Sequence, residues 1–532
     1  MIGLRLTSST AVWSSILAMT SYILLNNLPK DNNVLSRSLA VLGVVSAISA
    51  LLTLLTFKGA TLRQWIVRRW RSSHTKLNAS MLVNAKNRAM VWDGKSANML
   101  IEMFGEQWTL SKVTSTGETT AQQIPLDELR DVLRQFDITA NHIRVIQYGY
   151  KAGAEDRASS AVLSNMGVIP YLLGGRTFIE LSISHKNNVN AVYSRQRDGD
   201  TVADGMNRVV SIATDRVLRV LQSNNIRAKV VTPAAALGIH KDIAGALKEA
   251  AARPRWDMLG SPGDAEIGSV VSFTPTEWSV KAQQHWNEVM AHRQYTCLSL
   301  RPNGKTDTIS YAVSYLTNDP ETLHLLPSQG LRRENGRQLS RVTNLLPLIH
   351  DTFVDDDGGR VLYEESDVDL MMPVQPLGVY LGMNKSRERV FMNISRGSTP
   401  LWIVDDEEYA RRLVFRLSTQ RHRIAVAIPG QDWVDLVQAR RSRLLTHTDT
   451  PLSAMTTSDI LVCTPEFVSE LEPSIDGPSV IVVSQNTPPI AQSAIITQDE
   501  DNEGYIKVVS NNSVERIRRE RPPTERNWIV ED

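Results

Sequence analysis

The first sixty residues consist of two long uncharged runs separated by a short polar connection. No charged residue stands between Leu6 and Pro29, and a second uncharged run extends from Ser38 to Phe57. A helix needs about 20 predominantly apolar residues to cross about 30 Å of hydrocarbon. We therefore predict a two-helix transmembrane hairpin in residues 1–60.

The residues after the second run predict how this hairpin is oriented. Positions 58–92 hold eight basic residues and no acidic residue, and Arg5 precedes the first run. Lys and Arg are enriched on the cytoplasmic side of membrane spans. We therefore expect a protein of the bacterial inner (plasma) membrane whose N-terminus and large C-terminal region are both cytoplasmic.

Residues 61–90 combine tryptophans and arginines at helical spacing. This pattern predicts a basic amphipathic juxtamembrane helix, in which Trp65, Arg68, Arg69 and Trp70 form a membrane interface with lipid headgroups. The alternative is a stalk that packs on neighbouring subunits, and one helix could do both.

Small residues recur four positions apart within the second apolar run. Gly43 with Ala47, and Ser46 with Ala50, would allow another membrane helix to approach closely. Neither run carries an ionisable side chain, whereas pumps and transporters usually place one in the membrane. The hairpin therefore favours helix packing with partners over a conduction path.

Beyond residue 90, alternating apolar runs typical of strands are interspersed with helical stripes. Ile179, Leu181 and Ile183 share one face of a predicted strand. One helical stripe comprises Met206, Val209, Val210, Ala213, Val217, Val220 and Leu221. The pattern predicts a large cytoplasmic α/β region, a layered mixed sheet with βαβ units.

We divide this region by its changes in composition. The predicted parts are a first α/β domain at 91–235, a linker at 236–272, a second α/β domain at 273–450, and a C-terminal α/β extension at 451–532. The extension ends in a charged tail, which we expect to be loosely attached from Arg516 onward.

Composition excludes some classes of protein. The chain is 42% hydrophobic and 22% charged, which is typical of a folded protein, and its net charge of +1 gives no overall attraction to nucleic acid. Its two cysteines, Cys297 and Cys463, lie in apolar runs. We predict two buried free thiols in a reducing compartment.

Two tripeptides match the end of a phosphate-binding loop. Gly94-Lys95-Ser96 and Gly304-Lys305-Thr306 both lack the earlier glycine that lets the backbone wrap a phosphate, since Ala89 and Ser299 stand there. We interpret both as polar turns between strands. The metalloprotease, serine hydrolase and paired CxxC motifs are also missing from the sequence. We therefore expect no catalytic residue and no cofactor.

The segment from Leu401 to Ile428 has the order of a nucleotide-binding βαβ unit. Its strand-to-helix junction is Asp405-Asp406-Glu407-Glu408. Phosphate binds to free N–H groups at a helix N-terminus, and four carboxylates would compete for those groups and repel an anion. We predict that these acids stabilise the helix through its dipole.

Asp367-Val368-Asp369 matches the short pattern by which many glycosyltransferases hold a metal and a sugar nucleotide. Metal binding by Asp367 and Asp369 would make the chain a membrane-anchored glycosyltransferase-like enzyme, or a degenerate relative of one. The surrounding acidic residues favour a solvated loop instead.

A series of short segments carries a family resemblance. In chain order they are Ile124-Pro125-Leu126-Asp127, Leu133-Arg134-Gln135-Phe136-Asp137, Gly175-Arg176-Thr177, Leu300-Arg301-Pro302, Gly336-Arg337-Gln338, Leu345-Leu346-Pro347-Leu348 and Pro376-Leu377-Gly378-Val379. With the two-span start, the chain resembles the EccE family, a membrane component of the mycobacterial type VII (ESX) secretion system. The resemblance extends to about Gly430.

This resemblance implies a non-catalytic structural subunit that stabilises a secretion channel at its periphery and supports protein export. The implied partners are EccB-, EccC- and EccD-like subunits, the mycosin protease and inner-membrane lipid. ATP hydrolysis would come from the EccC-like subunit. Arg337 and Gln338 are expected to hold subdomains together.

Overall fold

The structure, a computed structural model, describes four short N-terminal segments and most of the remaining chain. It covers 2–4, 55–57, 60–61, 80–83 and 88–529, with gaps at 115–116, 120–121, 152–156, 168, 170, 262–267, 349–358, 364–365, 398, 421, 471–476, 487, 489–493 and 511–512. The fold is mixed α/β and consists mostly of sheet.

The predicted two-helix transmembrane hairpin is wrong. None of the helices in the described part of the chain is long and apolar enough to cross a membrane. Leu55–Phe57, the predicted end of the second span, is a strand that pairs antiparallel with Ile2–Leu4 and with Ala60–Thr61. An apolar run alone does not separate strand from helix, and Thr56 and Phe57 both favour strand. Residues 5–54, which hold most of both predicted spans, lie outside the described residues.

The largest sheet has 12 strands, and all of its pairings are antiparallel. Its main path runs in the order Leu259–Gly260, Ser269–Pro275, Thr306–Thr317, Arg293–Asn303, His142–Tyr150, Gly174–Ser184, Ser96–Met103, Ala89–Trp92 and Ser80–Val83. Three short strands pair beside this path: Ala228–Val230, Leu331–Arg333 and Arg360–Leu362. Because His142–Tyr150 pairs with Arg293–Asn303, this sheet joins residues from both sides of the predicted linker.

Helices cover both faces of this antiparallel sheet. Successive strand residues point to opposite faces, so Ile179 enters one apolar cluster and Phe178 enters another. The helices of the first cluster are Leu126–Asp131, Val189–Tyr193, Val202–Ser223 and Val280–Asn287, with the 3-10 helix Pro320–Gln329. Those of the second cluster are Pro233–Ala251 and Gln338–Asn344.

The helix Val202–Ser223 shows how local sequence defines an element here. Thr201 accepts a hydrogen bond from the Asp204 backbone N–H, and the Asp204 carboxylate accepts one from the Thr201 N–H. This reciprocal capping box satisfies two N–H groups at the start of the helix. The predicted apolar stripe then packs on the sheet through residues such as Met206 and Val217, both fully buried.

A second sheet of eight strands lies C-terminal to the first. Its order is Leu445–His447, Ile424–Ala427, Ile460–Cys463, Ser479–Ser484, Leu401–Val404, Ala494–Gln498, Tyr505–Ser510 and Ser513–Arg518. The first six strands are parallel, and the last two are antiparallel additions. The intervening helices are Glu407–Ser418, Gln431–Arg440 and Pro451–Ala454, with the 3-10 helix Pro465–Glu470. Continuous apolar strands are typical of such parallel sheets, because both faces are buried.

Smaller elements connect the two large sheets. A four-stranded sheet has the order Val379–Met383, Arg389–Met392, Leu110–Thr114 and Gly117–Thr119. The helix Arg157–Met166 packs beside it, and Arg134–Gln135 pairs with Ile138–Thr139 in a short hairpin. Val379 and Leu381 share one apolar core with Leu401 and Ile403 of the parallel sheet, so this connecting sheet is packed onto the C-terminal part.

Both cysteines are buried and neither forms a disulfide bond, as predicted. Cys297 lies on an antiparallel strand and Cys463 on a parallel strand. Burial raises the pKa of the Cys463 thiol to about 12, so this thiol stays protonated and unreactive at neutral pH.

Candidate functional site

The residues predicted to contact the membrane cannot be placed on the fold. Trp65, Arg68, Arg69 and Trp70 of the juxtamembrane segment lie outside the described residues. The predicted helix-packing pairs, Gly43 with Ala47 and Ser46 with Ala50, also lie outside them.

The two tripeptides that resemble phosphate-binding loops are turns between strands, as predicted. Gly94 has a φ of +85° and precedes Ser96–Met103, and Gly304 separates Arg293–Asn303 from Thr306–Thr317. Asp93 Oδ1 accepts hydrogen bonds from the backbone N–H groups of Lys95 at 2.7 Å and Ser96 at 2.6 Å. Because a carboxylate already occupies these donors, the first turn offers no phosphate site.

Asp367 and Asp369 project from an irregular segment and are both exposed. Val368 between them is buried, and its N–H donates to Asp127 Oδ1 at 3.1 Å. Asp369 forms an ion pair with Arg360 at 3.2 Å. Among the described residues, no group of three or more His, Cys, Asp or Glu side chains is arranged to hold a metal ion.

The acidic junction before the helix Glu407–Ser418 is occupied by partners from the same chain. Asp406 Oδ1 accepts the Tyr409 N–H at 3.0 Å and caps the helix. Arg519 bonds Asp406 at 2.6 Å and Glu408 at 3.0 Å. A phosphate would have to displace both carboxylates, so this βαβ unit uses its junction for stability.

The C-terminal tail is packed into the fold, so our expectation of a loose attachment from Arg516 is wrong. Glu525 is fully buried and accepts hydrogen bonds from Arg416 Nε at 3.0 Å and Arg412 Nη1 at 3.5 Å. Trp528 stacks on Phe415 with ring centroids 5.7 Å apart. The tail carries the carboxylate that neutralises two arginines of the helix Glu407–Ser418, which composition alone does not indicate.

A joint between the two large sheets is centred on Trp108. This residue is buried in the apolar core of the C-terminal part, although it follows a strand of the antiparallel sheet. Its indole Nε1 donates to the Thr399 carbonyl at 2.8 Å, and its own carbonyl accepts from the Ser510 hydroxyl. Trp108 therefore connects three segments that are distant in the sequence.

Polar side chains around Trp108 extend this joint. Gln107 donates to the Ser395 carbonyl at 3.3 Å and accepts the Thr399 N–H at 3.1 Å. Arg227 donates to the Gly105 carbonyl at 2.7 Å and to the Ser395 hydroxyl at 3.0 Å. These contacts hold Ser395 and Thr399 against the end of the antiparallel sheet.

Gln338, expected with Arg337 to hold subdomains together, instead attaches its own helix to the antiparallel sheet. Its Oε1 accepts the Ser272 N–H at 2.7 Å, and its Nε2 donates to the Ser272 carbonyl at 3.3 Å. Arg341, one turn later on the same helix, donates to buried Glu334 at 3.3 Å. The helix Gln338–Asn344 is thus attached to the edge of the sheet by side-chain bonds.

Sequence reasoning missed Trp108 and Glu525, which are both buried and bond segments distant in the sequence. The hydrogen bond from Ser510 to Trp108 spans 402 residues, and that from Arg416 to Glu525 spans 109. Local periodicity carries no information about such pairs. The only available signals were a tryptophan beside a strand and one of several glutamates in a charged tail.

Comparison with known proteins gives one distant similarity. No family model matches the chain. The chain is 24% identical over 241 residues to the ESX-5 secretion system protein EccE5 of Mycobacterium marinum. This match covers 43% of the chain and 57% of the relative, so the chain spans little more than half the length of that relative.

Proposed function

We propose that this chain is a non-catalytic structural subunit of a type VII secretion membrane complex, which stabilises the assembly at its periphery and supports protein export. The observation that carries the proposal is the similarity to EccE5, a protein of a secretion system. The order of short segments from Ile124 to Val379 supports the same family.

The use of charged groups inside the fold supports a structural role. Carboxylates that could serve nucleotide or metal chemistry are bonded within the chain: Asp406 caps a helix, Asp93 closes a turn and Asp369 pairs with Arg360. Buried pairs such as Arg416 with Glu525 connect separate segments. Such pairs fix the relative position of segments, which suits a subunit that presents a rigid surface.

The proposal places the chain with EccB-, EccC- and EccD-like subunits at the bacterial inner membrane, and the mycosin protease is a further proposed partner. ATP hydrolysis in this complex belongs to the EccC-like subunit. The chain contributes contacts that hold the assembly together, so its loss is expected to reduce the amount of intact complex.

The test is affinity purification of the full chain from native membranes in mild detergent, followed by mass spectrometry. We expect an FtsK-type ATPase and a many-span membrane protein to co-purify with it in one large particle. The matched control uses the ATPase as bait in the same membranes. Recovery of the complex by the control bait without this chain, and of this chain alone by its own tag, would contradict the proposal.

A further inference from the structure

A cavity of about 420 Å³ lies between the two large sheets. On one side it is lined by the end of His142–Tyr150 and the start of Gly174–Ser184. On the other side are the residues at the amino ends of Ile424–Ala427 and Ile460–Cys463. Its volume is that of a typical small-molecule site. Nucleotide sites in parallel sheets lie at the carboxyl ends of the strands. This cavity lies at the amino ends, so it is not a nucleotide site of that type.

Arginines dominate the charged lining of this cavity. Asp459 is bonded by Arg396 at 2.7 Å and by Arg423 at 2.8 Å, so one carboxylate faces two guanidinium groups. Arg293 is half-buried and has no hydrogen-bond or ion-pair partner among the side chains that the structure describes. The cavity therefore contains a guanidinium whose five N–H donors are available.

The remaining charges leave the cavity positive. Glu102 is paired with Arg176 through two hydrogen bonds of 2.7 and 2.8 Å, and Asp242 is exposed at the rim. The described residues of the lining include four arginines and three carboxylates, which together carry one positive charge. Protein walls of low dielectric constant strengthen the attraction between this positive charge and an anion in the cavity.

Neutral polar groups in the same lining also lack partners. Asn393 Nδ2 and Gln420 Oε1 are buried without a hydrogen bond in the described structure. Burial lowers the pKa of His422, so its imidazole is neutral at pH 7 and can donate to or accept from a ligand. Buried polar atoms without partners are costly, and a ligand in the cavity would satisfy them.

We propose that this cavity binds a small molecule that carries an oxyanion group, such as a phosphate or a carboxylate. Arg293 contacts the oxyanion, because the guanidinium fork matches its geometry. Arg423, whose Nε and Nη2 already bond Asp459, adds positive charge to the same wall. Asn393, Gln420 and His422 bond the polar remainder of the molecule. Since these groups come from both sheets, ligand binding stabilises the joint between them. This inference does not depend on which complex the chain joins.

The test is calorimetric titration of the full chain in detergent with inorganic phosphate, at an ionic strength held constant with chloride. The unmodified chain is expected to show one saturable site. Arg293→Met is expected to weaken phosphate binding about tenfold, because it removes charged hydrogen bonds to the ligand. Arg219→Met is the matched control, since Arg219 is an exposed arginine on the helix Val202–Ser223, outside the cavity lining.

A second variant narrows the cavity without changing its charge. A Cβ at Gly174 would lie 3.6 Å from His422 Nε2, an ordinary contact that the fold can accept. Gly174→Ala is therefore expected to fold, which circular dichroism checks, and to weaken phosphate binding. No saturable phosphate binding by the unmodified chain would overturn the proposal. Equal affinity in the unmodified chain, Gly174→Ala and Arg293→Met would overturn it as well.

Discussion

The two large sheets bury their charged residues in different ways. In the antiparallel sheet, Arg144 and Glu180 lie on neighbouring central strands, are fully buried and pair at 2.6 Å. In the parallel sheet, the strands Leu401–Val404 and Ile460–Cys463 are entirely apolar and buried. Most of the buried charged residues of that part lie on or beside one helix and in the tail that covers it: Asp406, Arg411, Arg412, Arg416 and Glu525.

This difference follows from how each sheet is covered. The antiparallel strands alternate between two faces, and polar positions can meet across neighbouring strands, as Ser272 and Ser314 do at 2.7 Å. Parallel strands are covered by helices on both faces and have little room for polar groups. We therefore expect that substitutions of charged residues destabilise the parallel part mainly through the helix Glu407–Ser418 and the C-terminal tail.

The largest effect is expected at the joint where the two sheets meet. Trp108→Ala removes a buried indole from the core of the C-terminal part and should cost about 4 kcal/mol of the free energy of unfolding. Urea unfolding followed by circular dichroism measures this loss. Phe136→Ala is the control, because Phe136 is 97% exposed and its loss should change stability by less than about 0.5 kcal/mol. Equal effects of the two changes would show that Trp108 does not hold the joint.

The next largest effect is expected at the tail. Glu525→Ala leaves Arg412 and Arg416 buried without their shared carboxylate, and we expect a loss of about 3 kcal/mol in unfolding free energy. Protease digestion should then release the C-terminal segment first. Glu500→Ala changes an exposed glutamate and is the control. Resistance to digestion equal to that of the unmodified chain would contradict the structural role of the tail.

A pH-dependent effect is expected in the antiparallel sheet. Burial alone would raise the pKa of Glu180, but Arg144 and His142 outweigh it and hold the pKa below the usual value. A carboxyl whose pKa is lowered in the folded state contributes stability above its unfolded pKa of about 4.3 and loses it as pH falls.

The Glu180→Gln variant tests this dependence. Its free energy of unfolding should fall less than that of the unmodified chain when the pH drops from neutral to about 3. Thermal unfolding across this pH range makes the comparison. If the free energy of unfolding fell equally with pH in the two proteins, groups other than Glu180 would be responsible for the acid sensitivity.

The smallest effect is expected outside both sheets. Replacing Asp367 and Asp369 together with Ala should change unfolding free energy by less than about 0.5 kcal/mol, since both are exposed. Titration with Mn²⁺ and a sugar nucleotide should give the same result for the variant and the unmodified chain. Binding by the unmodified chain that the double change abolishes would favour the glycosyltransferase-like alternative over the structural role.

Local sequence predicted those features whose causes are local. The helix Val202–Ser223 has its cap and its apolar stripe within 23 consecutive residues from Thr201. The parallel strands Leu401–Val404 and Ile424–Ala427 were recognisable as short apolar runs around a helical stripe. The two tripeptides that resemble phosphate-binding loops were correctly predicted to be turns, because the sequence shows that the earlier glycine of such a loop is absent.

Features that depend on distant residues were not predictable in this way. The pairing of His142–Tyr150 with Arg293–Asn303 joins strands separated by a predicted linker. The strand Leu55–Phe57 was assigned to a membrane helix, because its hydropathy matches both structures. The cavity also had no sequence signal, since Arg293, Arg396 and Arg423 come together only when the two sheets pack.

The hydrogen bond between Trp108 and Ser510 has a consequence for biosynthesis. Its two residues are 402 positions apart, so the ribosome must add 402 residues after Trp108 before the contact can form. At about 5–20 residues per second, that delay lasts roughly 20–80 s. During this interval the Trp108 indole cannot be buried in the apolar core that surrounds it in the folded protein, and it is exposed on the nascent chain. Synthesis of this protein therefore includes a period in which a chaperone that binds aromatic segments has a target at position 108.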